Sequence, residues 1–162
     1  MSSKFSWIPC TTVKVGSDPG HSLEVDGAIA NGSQAIVGMG AYIDDDCNFT
    51  TLALWVAPIE SDGTLGEAVE QRFGSDPTHS LAASGQVGPQ QVLVGVGMRA
   101  YETDLTTLVL YGRALDATTG RLSPDLSTYK FGTDPGAGLE ASWSSRCSSP
   151  SPASGRAPRT AT

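Results

Sequence analysis

Val15-Gly16-Ser17-Asp18-Pro19, Phe73-Gly74-Ser75-Asp76-Pro77 and Phe131-Gly132-Thr133-Asp134-Pro135 are one phrase written three times, 58 residues apart each time. A basic residue precedes each copy (Lys14, Arg72, Lys130), and a Leu follows four residues after each Pro (Leu23, Leu81, Leu139). A fixed period of this size predicts a repeat architecture. Within the phrase, the Asp-Pro step presets a turn and the preceding Gly frees the backbone to enter it.

Working outward, each phrase closes a short strand. The lead-ins are Thr11-Thr12-Val13-Lys14-Val15, Glu70-Gln71-Arg72-Phe73 and Ser127-Thr128-Tyr129-Lys130-Phe131. A second short strand is expected after each turn, over His21–Val25, His79–Ala83 and from Leu139 to Trp143. The third strand is Gln34–Tyr42 in one unit and Gln91–Ala100 in the next. Strict alternation over Val92, Val94, Val96 and Met98 predicts one face, with Leu93, Gly95, Gly97 and Arg99 on the other. The fourth strand is Asn48–Val56, matched by Asp104–Gly112. Leu52, Leu54, Leu108 and Leu110 are expected to face the core, and Trp55 and Tyr111 to face the opposite side.

The expected fold is therefore all-β, with internal repeats of about 58 residues. Two units of four strands (about 11–68 and 69–126) precede the start of a third (127–143). Residues 1–143 form this repeat domain. Residues 144–162 hold no Leu, Ile, Val or Phe and many Ser, Pro and Arg, a composition that predicts a disordered tail.

Val94-Gly95-Val96-Gly97-Met98-Arg99, followed by Asp104-Leu105-Thr106-Thr107-Leu108-Val109-Leu110, and their first-unit equivalents resemble the type I β-prism proteins. The similarity is to the vitelline membrane outer layer type and, more distantly, to jacalin-related lectins. The resemblance spans about 11–143 and implies three four-stranded sheets around a pseudo-threefold axis. A β-trefoil is the alternative, although its units run shorter.

Composition narrows the function. The chain has 17 acidic and ten basic residues, a net charge of −7. Every acidic residue lies at or before Glu140. Such a body lacks the clustered Lys and Arg that a phosphate backbone requires, so no nucleic-acid partner is expected. No run approaches membrane-spanning length. The first ten residues lack the apolar core of a signal peptide, which places the protein in the cytoplasm or exports it by another route. Three cysteines (Cys10, Cys47, Cys147) without repeat spacing read as free thiols.

No catalytic motif, metal site or cofactor site is legible. Ser17, Asp18, His21 and Ser22 crowd one segment, but neighbours in sequence do not form the opposed geometry of a triad. Asp44-Asp45-Asp46 lacks the alternating ligand spacing of a calcium loop and reads as a solvated hairpin tip.

The candidate ligand-binding residues are Asp18, His21, Trp55, Asp76, His79, Tyr111 and Asp134. His21 and His79 hold the same repeat position beside Asp18 and Asp76; they contact a metal or polar ligand or simply cap turns. The three Asp reach ligand hydroxyls or bond their own backbone. Trp55 and Tyr111 stack on sugar rings or on neighbouring side chains. The expected function is non-catalytic carbohydrate binding, with weak sites multiplied by repetition. A structural or protein-interaction module is the alternative, and an enzyme on the same scaffold a third class. Open sheet edges predict self-association.

Overall fold

The apolar, Gly-interrupted run from Gln34 and the Thr- and Leu-rich run from Phe49 are joined by an Asp-rich turn, and they form a long antiparallel hairpin. The same pattern recurs from Gln91. The computed structural model describes residues 33–139, and among these every regular element is a strand. In chain order they are β1 (Gln34–Ile43), β2 (Phe49–Pro58), β3 (Val69–Phe73), β4 (Ala83–Gln86), β5 (Gln91–Tyr101), β6 (Asp104–Ala114) and β7 (Ser127–Phe131). They build two antiparallel sheets, ordered β3-β2-β1-β4 and β5-β6-β7.

The two hairpins match in register. In one, Ile36 faces Val56, Gly38 faces Trp55, and Val37 is skipped. In the other, Leu93 faces Gly112, Gly95 faces Tyr111, and Val94 is skipped. A second irregularity follows Tyr42 and, likewise, Arg99. A bulge inserts one residue and sharpens the local twist. It also breaks the strict alternation expected for Val92, Val94, Val96 and Met98.

The turns match too. Gly74 and Gly132 sit at φ 113° and 110°, a left-handed conformation that only Gly adopts without strain. Past each Gly, an Asp amide donates to a Thr carbonyl of the hairpin: Asp76 to Thr50 and Asp134 to Thr106, both at 3.0 Å. The next Thr returns a bond from its buried hydroxyl. Thr51 Oγ1 donates to the Asp76 carbonyl at 2.6 Å, and Thr107 Oγ1 to the Asp134 carbonyl at 2.7 Å.

The main core lies between the sheets. Val37, Ala41, Ile43, Ala57, Ala83 and Val87 meet Leu105, Leu108 and Leu110. Burial of a Leu of this kind is worth about 1.5–3 kcal/mol, so the three β6 leucines anchor the interface. The Phe131 ring fills the space beside Gly85 of β4. A smaller cluster holds Leu52, Leu54 and Val56, with Ile36, Met39 and Phe73 against it. The leucine pairs are thus buried as expected, in two different clusters.

Gln90 fastens the sheets at one end. Its side-chain amide donates to the carbonyls of Gly63 (3.0 Å) and Leu115 (3.1 Å), and its Oε1 accepts from Leu65 N–H (3.0 Å). Close by, Gly63 packs directly against the carbonyl of Ala117.

Three further expectations change. The strand expected over His79–Ala83 begins only at Ala83, because residues 76–79 are closed into a turn and pairing starts where the chain meets β1. Trp55 packs in a different cluster from Leu52 and Leu54, but the side it takes is covered: it is half-buried against the main core rather than exposed. Cys47 is disulfide-bonded, not a free thiol. An odd cysteine count leaves room for one pair, and the partner of Cys47 lies outside the described residues. So do the first turn phrase, the strands expected before Gln34, the third unit beyond Leu139, and the tail.

Candidate functional site

The turn after β3 carries the most chemistry. Arg72 on β3 holds it from beneath: Nη1 donates to the carbonyls of His79 (2.8 Å) and Pro77 (3.3 Å), while Nε donates to Glu70 Oε1 (2.6 Å). The loop from Gly74 to Ser80 is thereby fixed over the end of β1. His79 N–H donates to the Asp76 carbonyl at 3.3 Å.

His79 stacks on Tyr42 of β1, with ring centroids 3.6 Å apart and planes 15° from parallel. Its Nδ1 lies 2.9 Å from the Ser80 carbonyl. A carbonyl only accepts, so this contact assigns the proton to Nδ1 and leaves Nε2 as the acceptor in the neutral ring. Asp76 is exposed, and its Oδ1 accepts from the Thr78 hydroxyl at 3.0 Å. The turn thus carries a ring stacked on Tyr42 of β1, and an exposed carboxylate bonded to a hydroxyl. Such a set can take up a flat apolar face with hydroxyls at its rim.

The structure brings Asp76 and His79 together and leaves the other candidates apart. Asp134 is exposed on the matching turn of the second sheet. There Ala137 N–H donates to the Asp134 carbonyl at 3.2 Å, in the place of His79, and Arg99 stands where Tyr42 does. The second turn therefore lacks an aromatic pair. Trp55 and Tyr111 lie on different sheets. Tyr111 is half-buried beside Gly95 of the neighbouring strand. Asp18 and His21 lie outside the described residues.

Sequence reasoning missed Tyr42 and Arg72. Tyr42 read as one more strand residue and Arg72 as the basic lead-in of the phrase. The signal for Tyr42 was its place at the end of the Gly-rich strand, where the second unit has Arg99.

The other polar clusters serve their own loops. Asp44 Oδ1 accepts from the amides of Asp46 (3.0 Å) and Asn48 (2.8 Å). Among the described residues, no group of three His, Cys, Asp or Glu is arranged to hold a metal. Hydrogen bonds from the Thr64 hydroxyl and amide hold the Asp62 carboxyl below its ordinary range, and bonds from the Thr119 and Thr118 amides do the same for Asp116. An open apolar cleft of about 360 Å³ lies where the two hairpins begin, lined by Ala35, Ile36, Ile59, Val92, Leu93 and Leu115 among others. None of its described lining groups titrates. No helix among the described residues is long and apolar enough to cross a membrane.

The chain matches no protein-family model, no curated protein and no solved structure.

Proposed function

We propose that this protein is a non-catalytic carbohydrate-binding module built on a repeated β fold of the prism type. The observation that carries the ligand is His79 stacked on Tyr42, in the turn that also exposes Asp76. An aromatic face suits the C–H face of a pyranose, while Asp76, Thr78 and His79 Nε2 offer acceptors to its hydroxyls. Two separate sheets with matching bulges and turns support the prism over a trefoil. An array of glycans, probed with and without EDTA, tests the reading. A defined sugar preference that His79→Ala weakens at least tenfold, with the fold retained, supports it. A blank array overturns it.

The second reading is a protein-interaction module without a small ligand. It rests on exposed apolar residues on strands at the sheet edges: Val69 of β3, and Val94 and Val96 of β5. Edges of this kind invite pairing with another chain, which is the proposed route to self-association. An enzyme remains the third class, and it draws no support from the apolar cleft. The disulfide at Cys47 favours export over the cytoplasm, because such bonds persist in oxidising compartments.

A further inference from the structure

The turn after β3 is unevenly supplied with hydrogen-bond donors and acceptors. Its imidazole N–H and its threonine hydroxyl are already in use. His79 Nδ1 faces the Ser80 carbonyl at 2.9 Å, and Thr78 Oγ1 donates to Asp76 Oδ1 at 3.0 Å. Beneath the turn, Arg72 directs Nε to Glu70 and Nη1 to the carbonyls of Pro77 and His79. The acceptors are in surplus. Asp76 is exposed and bonds to Thr78 through Oδ1, which leaves Oδ2 open among the described residues. A carboxylate accepts at about four lone-pair sites, and Nε2 is the acceptor of the neutral imidazole.

Charge points the same way. Arg72 and Glu70 are paired at 2.6 Å and offset one another. Asp76 is then the charge of the turn itself. On the other side of the stack, Tyr42 leads into Asp44, Asp45 and Asp46, and neither β1 nor that hairpin tip holds a Lys or Arg. Asp44 serves its own loop through Oδ1, yet its charge adds to the field. The matching turn of the second sheet is built otherwise. Arg99 stands in the place of Tyr42 and Ala137 in that of His79, so a cation replaces the ring.

We infer that the His79–Tyr42 site takes an amino sugar with a free ammonium group in preference to neutral or acidic sugars, a preference that presupposes the carbohydrate site proposed above. An ammonium brings three N–H donors and no acceptor, the complement of what the turn leaves open. Its bond to a carboxylate is charge-assisted and roughly twice as strong as one between neutral groups. N-acetylation removes the charge and leaves a single N–H donor on that nitrogen. A uronic acid sets a second carboxylate against Asp76, and like charges repel.

NMR titration of the full chain, disulfide intact, in neutral buffer at low salt tests it. The ligands are the methyl glycosides of glucosamine, glucose, N-acetylglucosamine and glucuronic acid. Glucosamine is expected to shift the His79 and Tyr42 ring signals and to bind at least about tenfold more tightly than the two neutral sugars, with glucuronate weakest. Asp76→Asn keeps the shape and removes the charge, and it is expected to bring glucosamine down to the level of glucose. Asp125→Asn makes the same charge change in the exposed loop before β7 and is expected to leave the preference intact. Equal binding of glucose and glucosamine, or tighter binding of glucuronate, overturns the inference while the carbohydrate site stands. Glucosamine binding that His79→Ala leaves unchanged also overturns it, since the acidic body alone then attracts the cation. Binding of none of the four overturns the carbohydrate site and the preference together.

Discussion

The ring of Phe131 occupies the space that a side chain on Gly85 would need. β7 of one sheet thus bears directly on β4 of the other, and the absent side chain lets them approach. Gly85→Ala is expected to destabilise the protein by about 1–3 kcal/mol, the usual cost of an over-filled contact. Urea unfolding measures it. Phe131→Leu in the Gly85→Ala background is expected to recover part of the loss, so the two substitutions are non-additive.

Thr51 and Thr107 are both fully buried, and each hydroxyl donates to the carbonyl of the Asp that opens the next turn. Thr51→Val and Thr107→Val keep the shape and remove the bond. Each is expected to cost about 1–2 kcal/mol. Similar losses in the two variants are the outcome that matching roles require. A cost at one site and none at the other would separate them.

Gln90 makes three bonds that bridge the two sheets. Gln90→Ala leaves the Leu65 N–H and two carbonyls without this partner, and a loss of about 2–3 kcal/mol is expected. Gln90→Glu retains an acceptor for Leu65 but sets a carboxylate oxygen against the Gly63 and Leu115 carbonyls, so it is expected to cost at least as much as Gln90→Ala. Thermal unfolding ranks the three.

Asp62 and Asp116 have folded-state acidities shifted below the ordinary carboxylate value by bonds from Thr64, and from Thr119 and Thr118. A depressed folded value means the stabilisation is present above the unfolded value of about 4 and fades as pH falls through the folded value. Melting temperature is therefore expected to fall below about pH 4. The Asp62→Asn, Asp116→Asn double variant keeps acceptors in both loops but does not titrate there. Its melting temperature is expected to decline less steeply over the same range.

The all-β class was legible because turn residues, β-branched runs and two-residue alternation all pointed one way. The Gly-Ser/Thr-Asp-Pro turns were readable from residue type alone. What escaped depended on contacts across the sheet. Trp55 alternates with Leu52 and Leu54, and local pattern does not tell that both faces of a sheet are covered. The start of β4 at Ala83 is set by where the chain meets β1. The stack of His79 on Tyr42 joins residues 37 apart in sequence, and nothing in either neighbourhood announces it. The disulfide at Cys47 escaped because spacing was sought in the repeat, where the cysteines do not follow it.

The matched bulges after Ile36 and Leu93 bear on how the chain reaches its native state. Two hairpins this alike offer each strand a rival partner, since β1 has the composition to pair with β6 and β5 with β2. Proximity decides against exchange. β1 and β2 are joined by five residues and β5 and β6 by two, so each hairpin closes its own short loop at small entropic cost before the distant strand arrives. The bulge then acts as a key: a ladder formed one residue out of step leaves the extra residue unaccommodated and turns the apolar side chains to the wrong face. Lengthening the Glu102-Thr103 turn weakens that kinetic preference, and misassembled species during refolding are its consequence.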